Sequence, residues 1–229
     1  MSKHTVLICA GAPAPALDKM NDYYRKYRKE ALIIGVDRGA LLLANEGYTL
    51  DYAIGDFDSV SDSEFETIKD NARNILTSPA MKDESDLELA LLELFKMDIE
   101  FNAIYIFGGL GENNGRLDHM FSNLWIAYRE PYQSYLPKIT FIEKHQELFF
   151  IKDSRKEVNY NRQYRYLSVI SLTAFSSLEI QDAVYTLEAM DSDIPRAFIS
   201  NEFKENENIK ISVDKGIVMV FLSELDRKE

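Results

Sequence analysis

Six short apolar runs punctuate the first part of the chain: Val6–Ala10, Leu32–Val36, Tyr52–Ile54, Asn74–Leu76, Ala103–Phe107 and Ile139–Ile142. Most are continuous in hydrophobicity, the pattern of strands covered on both faces, as in a parallel sheet. Between them, apolar positions fall at helical spacing over Leu17–Tyr27, Arg38–Asn45, Asp62–Asn71, Asp86–Met97 and Leu117–Tyr128. Ser61-x-x-Glu64 and Ser85-x-x-Glu88 each stand just before a helical stretch and read as capping boxes. Strand and helix taking turns predicts βαβ units wound into a doubly wound, mostly parallel, Rossmann-like sheet.

Beyond about residue 147 the texture changes. Arg165–Leu172, Leu178–Thr186 and Ile209–Leu222 are short, rich in β-branched and aromatic residues, and separated by polar breaks. Asp214-Lys215-Gly216, between two β-like runs, reads as a hairpin turn. The expected organisation is an α/β domain over 1–146 followed by a smaller, all-β sandwich over 147–229.

Charge and composition narrow the partners. The 229 residues carry a formal net charge of −12, which disfavours nucleic acid and anionic membrane surfaces, because these demand clustered Lys and Arg. No apolar run approaches the roughly 20 residues that span a bilayer. The apolar stretch after Met1-Ser2-Lys3-His4 is too short for a secretory leader, so a cytoplasmic location is expected. With Cys9 as the only cysteine, neither an internal disulfide nor a thiolate zinc cluster can form, and Cys9 itself reads as a small core residue.

In open α/β sheets, ligands bind beyond the carboxyl ends of the strands. There the apolar runs lead into Asp37-Arg38-Gly39, Gly55-Asp56-Phe57-Asp58-Ser59, Lys82-Asp83-Glu84-Ser85-Asp86 and Gly108–His119. Acidic residues thus recur at one edge of the sheet. Asp56 and Asp58 are spaced to converge on one ion, and hard carboxylate oxygens suit Mg²⁺. A calcium loop does not fit, since Ser61 stands where that motif needs glycine. The competing reading is a turn stabilised by Asp and Ser side chains. Capping alone accounts for Ser85, Asp86 and Glu88 but leaves Lys82 and Asp83 unexplained at a helix N-terminus suited to phosphate. Gly108–Gly115 is neither a P-loop nor a dinucleotide fingerprint, because no Gly-Lys-Ser/Thr follows and Asn114 stands where the latter needs glycine. It reads as a flexible loop leading to Arg116, Asp118 and His119, of which Arg116 could hold phosphate bidentately.

Taken in order, GDFDS at 55–59, KDESD with Glu88 at 82–88, and GRLDH with Asn123 at 115–123 resemble the thiamine pyrophosphokinase family. A weaker echo is Ile199-Ser200-Asn201-Glu202-Phe203. The resemblance runs from about Val6 to about Phe221. It implies an N-terminal α/β catalytic domain, a C-terminal thiamine-binding β-sandwich, and a homodimer with active sites at the subunit interface. It implies an Mg²⁺-dependent transfer of diphosphate from ATP to the hydroxyl of thiamine, yielding thiamine diphosphate and AMP. By the same resemblance, Asp56, Asp58 and Asp86 would hold the metal and, with Arg116, carry the transfer. Asp37, Ser59, Lys82, Asp83, Ser85, Arg116, Asp118 and His119 would line the ATP site, and Tyr185, Ser200 and Asn201 would contact thiamine. Arg38 departs from the family's usual glycine, Ser85 from its commoner Thr, and the loop before Arg116 is longer than usual.

Two other functions share parts of the pattern. Asp56-x-Asp58 also resembles the nucleophile motif of haloacid dehalogenase phosphohydrolases, although that motif normally follows the first long strand. A non-catalytic nucleotide-binding sensor would bind ATP without turnover.

Overall fold

The computed structural model describes residues 4–77, 83–112 and 114–224. The chain divides into two compact units, Met1–Lys144 and His145–Glu229.

In the first unit, strands β1 (His4–Cys9), β2 (Ala31–Val36), β3 (Leu50–Gly55), β4 (Ala72–Thr77), β5 (Phe101–Phe107) and β6 (Ile139–Ile142) pair in the order β6-β5-β1-β2-β3-β4. All five pairings are parallel. Every residue of β1 from Thr5 to Cys9 is buried, as a strand covered on both faces requires. Helices α1 (Leu17–Tyr27), α2 (Arg38–Asn45) and α3 (Asp62–Asn71) contribute Met20, Leu41, Leu43 and Ile68 to one core with Leu7, Cys9, Ile33 and Ala53. Helix α4 (Asp86–Lys96) packs on β2 and β3 through a buried row of Leu87, Ala90, Leu91 and Leu94. Both expected capping boxes are formed, Ser61 accepting from the Glu64 amide and Ser85 from that of Glu88.

Helix α5 (Leu117–Trp125) is shorter than its apolar periodicity predicts, because the chain tightens into a 3-10 turn over Ile126–Tyr128. A second 3-10 segment, Tyr132–Lys138, leads into β6. Among the described residues, no helix is long and apolar enough to cross a membrane.

The second unit holds antiparallel strands β7 (Gln146–Val158), β8 (Tyr164–Ser171), β9 (Phe175–Gln181), β10 (Leu187–Ser192), β11 (Arg196–Glu202) and β12 (Ile209–Glu224). Asp214-Lys215-Gly216 is not a hairpin turn. It is an irregularity inside the single long strand β12, opposite Asp153 of β7, whose carboxylate accepts the Gly216 amide at 2.8 Å. Turn-type residues serve here to bend paired strands rather than to reverse one. On either side of the bend β12 has different neighbours: its first half pairs with β9 and its second with β8, while β7 follows it throughout. Two layers result, β10-β9-β12-β7 and β11-β8-β12-β7, closing over a core that includes Leu167, Val169, Leu178, Ile180, Ile211 and Val220.

Candidate active site

Parallel pairing of β2 with β3 decides what stands together at the carboxyl edge. Val36 is level with Ile54, so Asp37 emerges beside Gly55 and its amide donates to the Ile54 carbonyl at 2.8 Å. After Gly55 the chain turns through Phe57, which adopts a left-handed φ of 57° and sends its ring into the core against Phe65. That inward anchor leaves Asp56 and Asp58 together outside it. One carboxylate oxygen from each of Asp37, Asp56 and Asp58 lies within 4.8 Å of the other two. Asp37 is itself left-handed at φ 47°. Unfavourable backbone at two of the positions that build one cluster is the mark of a functional site held by its surroundings.

The electrostatics of the cluster are unmet. Asp37 Oδ2 accepts the Ser59 hydroxyl at 2.9 Å, but Oδ1 is buried with no hydrogen-bond partner. Burial raises the Asp37 pKa, and the charges of Asp86 and Asp56 raise it further, against hydrogen bonds from Ser59 and the Arg38 amide. An orphaned buried acceptor facing other carboxylates is the arrangement a divalent cation relieves. Oxygen-only donors and few of them fit Mg²⁺, which keeps room for water and phosphate oxygens. Asp86 is not one of the three converging residues, although it lines the adjacent cavity. Asp37, placed by resemblance among the ATP contacts, is the residue that completes the cluster.

The cavity lies where the sheet's winding reverses. From β1 the chain winds outward through β2, β3 and β4, then returns to place β5 on the other side of β1. Loops leaving β1 and β5 therefore diverge, opening a crevice at the usual place for a ligand. It measures about 300 Å³ and is lined by residues 10–13, Asp37, Ser85, Asp86, the glycine-rich loop, Arg116 and His119. Close approach of α2 to β1 requires a glycine at Gly39, where a Cβ would sit 2.2 Å from the Cys9 carbonyl oxygen. Arg38 is exposed, so the departure there from the family pattern falls beside the tight position and not on it. Strand β1 ends at Cys9 and is followed by Ala10-Gly11, with no carboxylate where a haloacid dehalogenase nucleophile would stand.

At the start of α4, Ser85 and Asp86 reach the cavity, while Asp83 is exposed. Lys82 lies outside the described residues. Glu88 is buried and anchors the region, closing the capping box and pairing with Arg129 at 2.5 Å.

Several described residues of the glycine-rich loop are held by hydrogen bonds. Asn123, buried on α5, donates to the Gly109 carbonyl at 2.6 Å, the Gly115 amide donates to Gly111, and the Leu110 amide donates to Glu143 at 2.6 Å. Beyond the loop, the Arg116 fork engages both carboxylate oxygens of Asp118, and the His119 amide also donates to Asp118. This pairing holds the Asp118 carboxyl below its usual range. Arg116, Asp118 and His119 are all exposed, and Arg116 and His119 line the cavity.

In the second unit Tyr185 and Asn201 come together, with Ser200 next to Asn201 in the chain. Asn201 is buried; its side-chain oxygen accepts the Tyr185 amide at 3.0 Å and its nitrogen donates to the Tyr185 carbonyl at 2.7 Å. Its amide is thus occupied in presenting Tyr185, which is 65% exposed. Ser200 is exposed at a left-handed φ of 59°, where β11 breaks register against β8.

Comparison with known proteins agrees with this architecture. The sequence model of the thiamin pyrophosphokinase catalytic domain matches residues 23–139, and that of the thiamin pyrophosphokinase vitamin B1 binding domain matches residues 155–218. The chain belongs to the thiamine pyrophosphokinase family. It is 30% identical over 221 residues to the thiamine pyrophosphokinase of Bacillus subtilis (strain 168), covering 96% of this chain and 98% of that protein. The crystal structure of a thiamin pyrophosphokinase family protein from Enterococcus faecalis superposes with a TM-score of 0.83 at 26% identity, over 98% of this chain and all of that one. That of the Bacillus subtilis thiamine pyrophosphokinase gives 0.79 at 26%, over 96% and 99%. The kinase assignment follows from the family.

Sequence reasoning missed Glu143. It is a lone acidic residue directly after β6, with no motif around it. The available signal was positional: a carboxylate leaving the strand next to β5, at the edge where the other acidic residues gather.

Proposed function

We propose that the protein transfers diphosphate from ATP to the primary hydroxyl of thiamine, forming thiamine diphosphate and AMP. The observation that carries the reading is the convergence of Asp37, Asp56 and Asp58 beside a cavity at the sheet's switch point. In this reading the thiamine oxygen bonds to the β-phosphorus as the bond from that phosphorus to the α-bridging oxygen breaks; AMP leaves with that oxygen, and the hydroxyl proton passes to water. Such transfer depends on positioning and charge neutralisation more than on covalent chemistry by the protein. Asp37, Asp56 and Asp58 are the residues that would hold Mg²⁺, which when bound neutralises phosphate charge. Ser59 orients Asp37 through Oδ2 and leaves Oδ1 for the metal. Arg116 offers a planar fork for phosphate oxygens, exchanging Asp118 for them, and His119 lines the same cavity. Asp86 and Ser85, at the α4 N-terminus, border the polyphosphate path. Lys82 completes the basic residues of this reading.

Thiamine is cationic and aromatic, so it suits an exposed aromatic face with hydrogen-bonding neighbours. Tyr185, mounted by Asn201 with Ser200 adjacent, supplies such a face on the second unit. Exposed apolar residues occur on both units, with Leu117, Phe121 and Trp125 along α5 and Val184, Tyr185 and Ile199 in the β unit. Surface of this kind supports a homodimeric assembly.

The test is to incubate the protein with ATP, Mg²⁺ and thiamine and identify products by mass. Thiamine diphosphate and AMP in equal amounts, and neither without thiamine, is the expected result. Phosphate release independent of thiamine, or ATP bound without turnover, overturns the reading.

A further inference from the structure

Glycine-rich loops at the carboxyl edge of an α/β sheet commonly cradle phosphate with their backbone amides. The loop after β5 has the composition for that role, yet the amides of Gly108, Leu110 and Gly115 are already engaged. Gly108 donates to the Ile142 carbonyl and Gly115 to that of Gly111. Leu110 donates to Glu143 Oε1 at 2.6 Å, and the neighbouring amides of Gly111 and Glu112 act on the same carboxyl, pulling its pKa down. Three successive amides thus act on one carboxylate, and the left-handed φ of 66° at Gly111 is the backbone turn that anion nests use. The anion in the nest belongs to the protein.

Glu143 is only 2% exposed. Burial, and then the nearby charge of Glu112, raise its pKa, while the three amide bonds oppose this. It does not line the cavity that Leu110, Gly111, Arg116 and His119 line. It grips the loop without facing the ligand space.

We propose that Glu143 is a positioning residue: its carboxylate fills the amide nest of Leu110–Glu112, making the glycine-rich loop a rigid mount for Arg116 and His119 rather than a phosphate cradle. Its catalytic consequence rests on the diphosphate-transfer reading above; its structural consequence does not. The glycines are needed because the loop folds back on itself, a Cβ on Gly115 falling 2.3 Å from the Gly111 Cα.

The test uses Glu143→Gln, which keeps the shape but removes the charge and sets an NH₂ against backbone donors. In the ligand-free protein, amide hydrogen exchange at Leu110, Gly111 and Glu112 should accelerate at least about tenfold while β1 and β5 are unchanged. Adding magnesium pyrophosphate to the wild-type protein should leave those three amides as they were. In turnover, Glu143→Gln should lower kcat/KM for ATP by about ten- to a hundredfold, because small misplacements of phosphate-binding groups are costly. On an Arg116→Ala background the further loss should be clearly smaller than in the wild-type protein, since part of the Glu143 effect runs through Arg116. A merely structural glutamate would lower the melting temperature and give losses that multiply with Arg116→Ala. Unchanged exchange in Glu143→Gln, protection of the three amides by pyrophosphate, or multiplying losses each overturn the proposal. If Glu143→Gln does not fold, Glu143→Asp is measured instead, and wild-type exchange and activity there overturn it equally. If the wild-type enzyme fails to turn over thiamine, the exchange measurements still decide the matter.

Discussion

Two loops leave the same edge of the same sheet and resolve their electrostatics in opposite ways. After β3, Asp56 and Asp58 join Asp37 in a cluster where negative charges face one another and a buried oxygen has no partner. After β5, the Leu110 amide is met by the buried Glu143 carboxylate, and Gly109 and Gly115 are hydrogen-bonded as well. The first loop leaves like charges facing one another; the second sets a buried carboxylate against a backbone donor. A glycine-rich composition therefore marks the place that is internally complete, and the acidic turn marks the place left open for chemistry.

Breaking the open loop should give the largest effect. Asp56→Asn or Asp58→Asn should reduce kcat on the order of a thousandfold or more at saturating Mg²⁺ while leaving the melting temperature nearly unchanged, since these charges serve the metal and not the core. Near-normal turnover in either variant would remove that residue from the mechanism. Next comes the group the closed loop carries. Arg116→Lys should lose on the order of a hundredfold in kcat/KM for ATP, because an ammonium cannot reproduce the bidentate fork. A variant retaining most of its activity would make Arg116 a surface residue paired with Asp118.

A residue outside both loops sharpens the contrast. Tyr185→Ala should raise KM for thiamine about tenfold with KM for ATP within about twofold, as expected for one lost aromatic contact. Equal changes in both constants would count against its role. Asn123→Ala strips the closed loop of a buried donor and should cost about 1–3 kcal/mol of stability, read by denaturant unfolding, because the Gly109 carbonyl loses its partner.

The smallest effect has the opposite sign. Asp37→Asn should stabilise the metal-free protein by about 1 kcal/mol while abolishing turnover, because it removes charge from a buried like-charged cluster. The pH dependence follows from the same cause. The Asp37 pKa is raised on folding, so its contribution to stability is fully present below the unfolded carboxyl pKa. It is lost as pH rises through the folded value. The wild-type protein without metal should lose stability over that interval relative to Asp37→Asn, and parallel stability–pH curves for the two would contradict the assignment.

Much of this was legible before any coordinates. The bounds of α1, α2 and α3 follow from apolar periodicity, and for α3 the Ser61–Glu64 capping box fixes the first turn. The strand ends that carry the acidic residues were equally readable, because buried parallel strands are continuous apolar runs. What failed were features whose meaning depends on a partner distant in sequence. Asp214-Lys215-Gly216 has turn chemistry, but Asp153 converts it into a bend within a continuous strand. That Asn201 also holds the Tyr185 backbone on both sides of its amide is likewise invisible in the sequence. Asp37 joins the carboxylate cluster only through the register of β2 against β3, and Glu143 acquires its role only from amides about 30 residues earlier in the chain. The 3-10 segment Tyr132–Lys138, with Pro137 inside it, has neither helical nor strand periodicity to announce it.

The central claim is that Asp37, Asp56 and Asp58 together hold a divalent cation against the nucleotide's phosphates. Electron paramagnetic resonance of Mn²⁺, titrated in the presence of an ATP analogue with a methylene bridge between the α- and β-phosphorus atoms, tests it most directly. Wild-type protein should show one bound Mn²⁺ per chain that Mg²⁺ displaces, and Asp56→Asn and Asp37→Asn should each weaken it at least about tenfold. Mn²⁺ binding that is unchanged in both variants would contradict the account.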